Sequence, residues 1–248
     1  MLHIDLNCDL GEGIGNEEAL LTNISSANIA CGYHAGNTTE MERMVDFCIK
    51  YGVAIGAHPS FADKENFGRT EMQLPLNEIY SLVINQLQLL DTIVKIKRVK
   101  LHHVKAHGAL YNMAARQKDI ATIIAKAVKD FDASLIYYGL SGSIMIDMAK
   151  QEGLYTANEV FADRTYQPDG TLTSRTLANA LISDTASAIK QVQQIINEKS
   201  VTAFNGAIVP IQADTVCIHG DGAQAVEFAQ ELHNNLTSAG IIIKKITH

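Results

Sequence analysis

The stretch HIDLNCDLGEG, residues 3–13, alternates between apolar and polar side chains and predicts the first β-strand. Its apolar positions are Ile4, Leu6, Cys8 and Leu10, and its polar positions are His3, Asp5, Asn7 and Asp9. Successive side chains of a strand point to opposite faces, so one face carries only polar groups. We expect the apolar face to pack against helices and the polar face to point toward a barrel axis. A surface strand with a hydrated polar face is the alternative.

Short β-prone runs alternate with longer runs of helical period along the rest of the chain. Strands are predicted at 3–9, 28–31, 53–57, 99–105, 134–138, 155–160, 215–219 and 241–246, and helices at 39–51, 77–94, 119–130, 142–152, 184–197 and 222–239. This alternation predicts a parallel sheet. About eight strands in a chain of 248 residues favour a closed (β/α) barrel.

We expect one domain over residues 1–248 with two hairpin insertions. The first insertion, near 161–175, is centred on a Pro-Asp-Gly sequence that favours a turn. The second, near 201–214, carries Asn205-Gly206 between two β-prone runs, which predicts a two-residue hairpin turn.

The net charge of −7 and the scattered basic residues argue against nucleic acid or an anionic membrane as the main partner. No stretch reaches the roughly 18 apolar residues that a membrane span requires, and the N-terminus opens on the strand itself. We therefore expect a cytoplasmic enzyme with a small-molecule substrate. Its cysteines, Cys8, Cys31, Cys48 and Cys217, form no CxxC pair, so reduced and mostly buried thiols are expected.

Polar side chains follow the predicted strands repeatedly: Asp9, Glu12, His34, His58, His107, Glu159, Asp163, Arg164, His219 and Asp221. In a closed α/β barrel these strand ends meet at one mouth, where reactive groups gather. Lys105 shares a face of the fourth strand with His103 and His107, so it should enter the same axis as Asp5 and Asp9. It is either a structural ion-pair partner or a group that holds an anionic substrate.

Imidazoles that converge with carboxylates form either a divalent metal site or an acid–base network. The candidate metal ligands are Asp9, His34 and His58, and no HExxH pair decides between the two interpretations. Arg69, Arg164 and Arg175 lie in loops after strands and are predicted to bind a carboxylate or phosphate group. The GEGIG stretch at 11–15 lacks the lysine and the spacing of a phosphate loop.

Several segments together closely resemble the LamB/YcsF family, which is also described as the A component of 5-oxoprolinase. They are DLNCDLGEG, SANIACGYHAGN, GAHPSFAD, FGR, KAHGALYN, EVFADRTY and CIHGD, in that order from Asp5 to about Asp221. Ala106 stands where the family usually has Pro, and Asn37 stands where Asp is common.

The resemblance implies a distorted (β/α) barrel of the glycoside hydrolase/deacetylase type. It also implies ATP-dependent opening of 5-oxoproline (pyroglutamate) to glutamate together with partner subunits B and C. Since this sequence has no ATP motif, ATP is expected to be used by the complex, with the partners activating the lactam by phosphorylation.

Amide hydrolysis needs an activated water, a stabilised oxyanion and a proton for the leaving nitrogen. We assign catalysis to Asp9, His58, Lys105 and His107, and substrate binding to Asp5, Asn7, Glu12, His34, Arg69, Glu159, Arg164, Arg175 and His219. The alternatives are a metal-dependent deacetylase or sugar hydrolase, and a non-enzymatic protein that binds a small ligand or regulates a partner.

Overall fold

The computed structural model describes residues 2–220 and 224–247. The strands in these ranges are β1 (His3–Leu10), β2 (Ser26–Ala30), β3 (Ala54–His58), β4 (His103–Lys105), β5 (Ile136–Leu140), β6 (Tyr155–Phe161), β7 (Ser200–Thr202), β8 (Ile208–Pro210), β9 (Thr215–Ile218) and β10 (Ile242–Ile243). The helices are α1 (Glu17–Leu20), α2 (Thr38–Tyr51), α3 (Leu76–Ile96), α4 (Gly108–Ala114), α5 (Lys118–Phe131), α6 (Ile144–Gln151), α7 (Thr185–Glu198) and α8 (Ala225–Ser238).

Seven parallel strands close into a barrel in the order β1-β2-β3-β4-β5-β6-β9, and β9 pairs back with β1. The predicted closed α/β barrel is therefore confirmed, with one strand fewer than expected. The last predicted strand, β10, pairs only with His3 and Ile4 of β1. It stays outside the barrel wall because β2 takes the same edge of β1 from Asn7 onward.

The two faces of β1 lie as the alternation predicts. Ile4, Leu6 and Cys8 are at most 2% exposed and belong to the apolar core that lies between the barrel and its helices. Asp5, on the other face, accepts hydrogen bonds from Tyr138 of β5 and Thr215 of β9 inside the barrel. The barrel interior at this level is therefore polar, and its hydrogen bonds compensate the cost of burying these groups.

Each predicted helix is present in the described residues with small shifts at its ends, except that the predicted start of the last helix, at 222–223, lies outside the described residues; the short helices α1 and α4 were not predicted. Asn37, one of the two departures from the family pattern, caps α2 because its side-chain oxygen accepts from the Glu40 amide at 3.0 Å. No helix in the described ranges is both long enough and apolar enough to cross a membrane.

Antiparallel structure lies in both segments expected to form insertions. Bridges join Arg164 to Leu181 and Tyr166 to Leu172 after β6, and β7 pairs with β8 as a hairpin. The turn of that hairpin has three residues rather than two. The Ala203 amide donates to the Ala207 carbonyl across residues 204–206, and inside this turn the Gly206 amide donates to the Ala203 carbonyl and Gly206 takes a φ of 88°.

Candidate active site

A buried ion pair lies at the carboxyl end of β1. Lys105 Nζ lies 2.9 Å from Asp9 Oδ1, and Asn28 donates to the same oxygen at 2.8 Å. Burial opposes ionisation of Asp9, but the positive charges of His58 and Lys105 outweigh it and hold the pKa of the Asp9 carboxyl well below its usual value. Asp9 is therefore an anion at neutral pH.

The same ammonium group serves a second buried carboxylate. Lys105 Nζ lies 2.8 Å from Glu159 Oε1, and Tyr111 donates its hydroxyl to Glu159 Oε2 at 2.7 Å. Lys105 also donates to Cys217 Sγ at 3.1 Å. Burial alone would lower the pKa of Lys105, but Asp9 and the neighbouring acidic groups raise it well above its usual value. Lys105 is thus a fixed cation between two carboxylates.

His58 and His107 face each other beside this ion pair. His58 Nδ1 lies 2.7 Å from the Lys105 carbonyl and His107 Nε2 lies 2.9 Å from the Phe67 carbonyl, so each of these nitrogens donates a hydrogen. The remaining nitrogens, His58 Nε2 and His107 Nδ1, are 2.9 Å apart. Two lone pairs at that distance repel, so a proton or a metal ion belongs between them. A carbonyl behind each imidazole is also the usual support of a metal-binding histidine.

His34 completes this cluster. Its ring stacks on His107 with centroids 3.9 Å apart, and its Nε2 lies 3.5 Å from Glu12 Oε1. Neither ring nitrogen has a hydrogen-bond partner among the described residues, and burial lowers the pKa of His34 to about 3. A neutral, buried imidazole that makes no hydrogen bond is suited to bind a cation. One ligand atom from each of Glu12, His34, His58 and His107 lies within 4.8 Å of the others.

Two glycines allow the loops after β3 and β4 to pack closely around these imidazoles. A Cβ at Gly68 would lie 2.2 Å from Ser60 Oγ, and a Cβ at Gly108 would lie 2.4 Å from the Gly68 carbonyl oxygen. Both glycines have positive φ angles, of 66° and 57°. Phe67 also has a positive φ of 56°, which orients the carbonyl that receives the His107 hydrogen.

A second histidine group lies on the opposite wall. His219 Nδ1 lies 2.9 Å from both carboxylate oxygens of Asp163, and Arg175 donates to His219 Nε2 at 2.6 Å. Burial opposes ionisation of Asp163, but its contacts with His219 lower the pKa of this carboxyl below its usual value. Asp163 therefore fixes the ring of His219 with Nδ1 protonated and Nε2 toward the arginine.

A cavity of about 740 Å³ opens between the two histidine groups. Its wall contains most of the predicted site residues: Asp9, Glu12, His58, Arg69, Lys105, His107, Arg164, Arg175 and His219. Arg164 is buried, and its guanidinium donates to the Thr173 and Ala180 carbonyls, so it also holds the segment after β6 in place. The volume suits a small-molecule ligand.

Four predicted residues lie outside the described wall of this cavity. His34 and Glu159 are buried directly behind it, in contact with His107 and Lys105. Asp5 and Asn7 lie deeper along the barrel axis, and four hydroxyl groups donate to Asp5. Asp5 and Asn7 lie deeper than the cavity wall because each step of two residues along β1 moves about 6–7 Å along the strand, away from its carboxyl end.

Asp221, the acid at the end of CIHGD, lies outside the described residues. The predicted metal ligands also group differently from expectation. His34 and His58 join Glu12 and His107, whereas Asp9 lies in a second group with Cys217 and His219. Asp9 Oδ2 is nevertheless only 3.3 Å from His58 Nε2, so the two groups adjoin.

Sequence reasoning missed Tyr111 and Cys217 as site residues. Tyr111 follows His107 by four residues, which is one helical turn along α4, and this spacing could have placed it on the cavity side. Cys217 alternates with Thr215 on β9 and with His219 directly after it, so the period of a strand could have turned its thiol toward the axis.

Comparisons with known proteins agree with this fold. Residues 4–248 match the sequence profile of the LamB/YcsF family. The A subunit of 5-oxoprolinase from Staphylococcus carnosus is 50% identical over 250 residues, which cover 99% of each chain. The lactam utilization protein from Thermus thermophilus has a TM-score of 0.93 at 36% identity, covering 99% of this chain and 100% of that one. A family 4 carbohydrate esterase from Streptomyces lividans, with a TM-score of 0.52 at 10% identity and coverage of 99% and 93%, shares the fold alone.

The fold and the cavity define a closed parallel α/β barrel with a cluster of ionisable side chains at the carboxyl end of its strands. The chain belongs to the LamB/YcsF family.

Proposed function

We propose that this chain is the ring-opening component of an ATP-dependent 5-oxoprolinase, which hydrolyses 5-oxo-L-proline to L-glutamate with subunits B and C. Relatives of about 50% identity are named as the A subunit of 5-oxoprolinase, and the structure of a lactam utilization protein shares the whole fold. The observation that carries the proposal is the Asp9–Lys105–Glu159 group beside three imidazoles at one cavity. This group supplies the base and the cation that opening of a lactam needs.

The proposed division of labour assigns ATP to the partner subunits. The sequence contains no GxxxxGK[ST] loop, so a partner phosphorylates the lactam and makes its ring carbon a better electrophile. This chain, as a single domain over residues 1–248, then opens the activated ring. The reaction takes place in the cytoplasm. Arg69 and Arg175 line the cavity and bind the negative groups of the substrate.

Asp9 is the proposed general base. Its carboxylate is ionised and faces the cavity, so it accepts a proton from a water molecule. The water oxygen forms a bond to the phosphorylated ring carbon, and the negative charge that develops there is stabilised by Lys105 and His107. Asp9 passes the protons of this water to the ring nitrogen, the ring C–N bond breaks, and an acyl phosphate remains. A second water molecule displaces the phosphate and leaves the carboxylate of glutamate. His219, held by Asp163 and Arg175, orients the substrate from the opposite wall.

The donor set of the imidazole cluster fits a divalent cation such as Zn²⁺. Glu12, His34, His58 and His107 would hold it, with Asp9 adjacent. When bound, such an ion supplies a Lewis acid that polarises a carbonyl or lowers the pKa of water.

Metal binding is expected to depend on His107. After incubation with Zn²⁺ and gel filtration, the wild-type chain should retain about one equivalent by elemental analysis, and His107→Ala less than about a tenth of that. His233→Ala is the matched control, because that ring lies on α8 and contacts the Asn23 carbonyl, far from the cluster in sequence. Equal zinc retention by His107→Ala and the wild type would remove the metal from the proposal.

The test of the proposed function is glutamate formation from 5-oxoproline and ATP. The chain alone, subunits B and C alone, and the mixture of all three are compared. We expect activity in the mixture only. No glutamate from the complete mixture would overturn the function, and binding of 5-oxoproline without turnover would favour a role in ligand binding.

A metal-dependent deacetylase is a second candidate, favoured by the facing nitrogens of His58 and His107, which lie 2.9 Å apart beside Glu12 and His34. Release of acetate from an N-acetylated sugar by the zinc-loaded chain alone would support it. The absence of acetate together with partner-dependent glutamate formation would exclude it.

A further inference from the structure

Four residues that pair from strand to strand form a row in the barrel wall, from Asp9 on β1 to His103 on β4. In the register of the sheet, Asp9 pairs with Asn28, Asn28 with Gly56, and Gly56 with His103. A Cβ at Gly56 would lie only 2.1 Å from His103 Nε2. The imidazole of His103 therefore crosses β3 where that strand has no side chain, and it reaches Asn28 on the far side.

The amide of Asn28 has one orientation in this row. Its Nδ2 donates to Asp9 Oδ1 at 2.8 Å and to Asn7 Oδ1 at 2.7 Å, so its Oδ1 faces His103 Nε2 at 2.8 Å. An amide oxygen only accepts hydrogen bonds. His103 Nε2 must therefore carry a hydrogen.

His102 lies next to His103 and needs a hydrogen at its own far end. His102 Nε2 lies 2.8 Å from the carbonyl oxygen of Ile246, which is also only an acceptor. The two rings meet at their Nδ1 atoms, 3.1 Å apart, and one hydrogen must lie between them. Three hydrogens are thus required on four nitrogens, whereas two neutral imidazoles carry only two.

The extra proton belongs to His102. His103 is fully buried, and burial together with the neighbouring charges of His102 and Lys105 lowers the pKa of His103 well below its usual value. The His103 ring also stacks on Tyr138, with centroids 4.2 Å apart, which leaves it no room to turn. His102 is half-buried, so its charged ring keeps part of its hydration.

We propose that His103 is a positioning residue for Asp9, acting across Gly56 through the Asn28 amide, and that its tautomer is set by a charged His102 bound to the Ile246 carbonyl. The C-terminal segment is thereby connected to the carboxylate at the mouth of the barrel by an unbroken chain of hydrogen bonds. The effect of His103 on turnover rests on the function proposed above, but the proton count does not.

Nitrogen-15 NMR of histidine-labelled full-length protein at pH 7 tests the proton count directly. We expect hydrogens on both ring nitrogens of His102 and on Nε2 of His103, with His103 Nδ1 bare. Spectra of His102→Gln and His103→Gln assign the signals. Two neutral rings would overturn the proposal whether or not the complex makes glutamate.

Kinetics of the complex with subunits B and C test the positioning role. His103→Leu should lower kcat by about 10- to 100-fold with KM within about twofold of the wild-type value, because Asp9 loses its oriented donor while the cavity wall is unchanged. His103→Gln keeps an N–H near the Nε2 position and should recover most of the loss. His233→Leu, which removes a histidine on α8, is the matched control and should match the wild type.

Unfolding curves of each variant show whether it is folded, and so distinguish a loss of Asp9 positioning from a loss of structure. If His103→Leu does not fold, the kcat values of the His103→Gln and Gly56→Ala variants test the positioning role instead. A folded His103→Gln variant with less than about a tenth of the wild-type kcat would overturn the role, as would an unchanged kcat in His103→Leu or Gly56→Ala. If the wild-type complex itself forms no glutamate, the proposed function fails and the NMR experiment still decides the proton assignment.

Discussion

The Lys105→Met variant is expected to lose glutamate formation by about 10²- to 10³-fold and to lower the free energy of unfolding by about 3–5 kcal/mol. Lys105 is 2% exposed and lies within 2.9 Å of oxygens from both Asp9 and Glu159. Methionine has a similar length but no charge. The substitution therefore leaves two carboxylates buried without the ammonium group that compensates them, and it removes the cation from the cavity wall.

Urea unfolding at pH 7, followed by far-UV circular dichroism, measures the loss of stability. Lys97→Met is the control, because Lys97 forms a surface ion pair with Asp46 at 2.6 Å and such pairs contribute about 1 kcal/mol or less. Equal stability losses in the two variants would show that the pairs around Lys105 do not hold the barrel together.

A double variant separates stability from activity at this position. Adding Glu159→Gln to Lys105→Met removes one of the two uncompensated charges, so part of the lost stability should return. Activity should stay at the level of the single variant, since the cation is still missing. Recovery of activity in the double variant would contradict the role of Lys105.

The direction of the barrel-facing side chains was predictable from the sequence because the period of a strand is two. Ile4, Leu6 and Cys8 point outward, and Asp5 and Asp9 point inward, as the alternation requires. The rule that reactive groups gather at strand ends likewise brought His58, Lys105 and His107 together with Asp9.

The depth of a side chain along the barrel axis was not predictable from this alternation. The period assigns a face, whereas depth depends on the register between strands. Asn7 pairs with Ser26 and Cys217, and Asp5 with Thr215, which places Asp5 among hydroxyl groups below the cavity. The eighth predicted strand forms as β10 but lies outside the closed barrel for a similar reason, since the local sequence does not show that β2 already pairs with that edge of β1.

The proton positions within the site could not be predicted from the sequence either. The role of each imidazole depends on which nitrogen faces a backbone carbonyl, and the Phe67 and Lys105 carbonyls that decide this come from other parts of the chain. Tyr111 lies in a helix of seven residues that was not predicted, so its spacing of four residues from His107 was the one signal that pointed to the cavity.

The Asp9→Asn variant is expected to lower glutamate formation by about 10³-fold while the barrel stays folded. Asparagine keeps the size of the side chain and can still accept from Lys105 and Asn28 at the position of Oδ1. Its amide cannot take a proton from water, so the proposed base is lost. Asp46→Asn, on the exposed face of α2, is the activity control and should equal the wild type.

The pH dependence of stability gives an independent signature of Asp9. The pKa of Asp9 is lower in the folded barrel than its ordinary value of about 3.9, because the charges of His58 and Lys105 outweigh the effect of its burial. A lowered carboxyl pKa stabilises the fold above the unfolded value and ceases to do so as the pH falls through the folded value. The stability difference between wild type and Asp9→Asn should therefore be constant from about pH 6 to 8 and shrink below about pH 4.

Urea unfolding of both proteins at pH 7, 5 and 3.5 (values chosen to bracket about pH 4) measures that difference. A difference that grows as the pH falls would mean that folding raises the pKa of Asp9, which is incompatible with a close ammonium group. In that case Asp9 would be a protonated hydrogen-bond donor at the mouth of the barrel. A protonated acid could not accept a proton from water, so the same measurement would also remove it as the base.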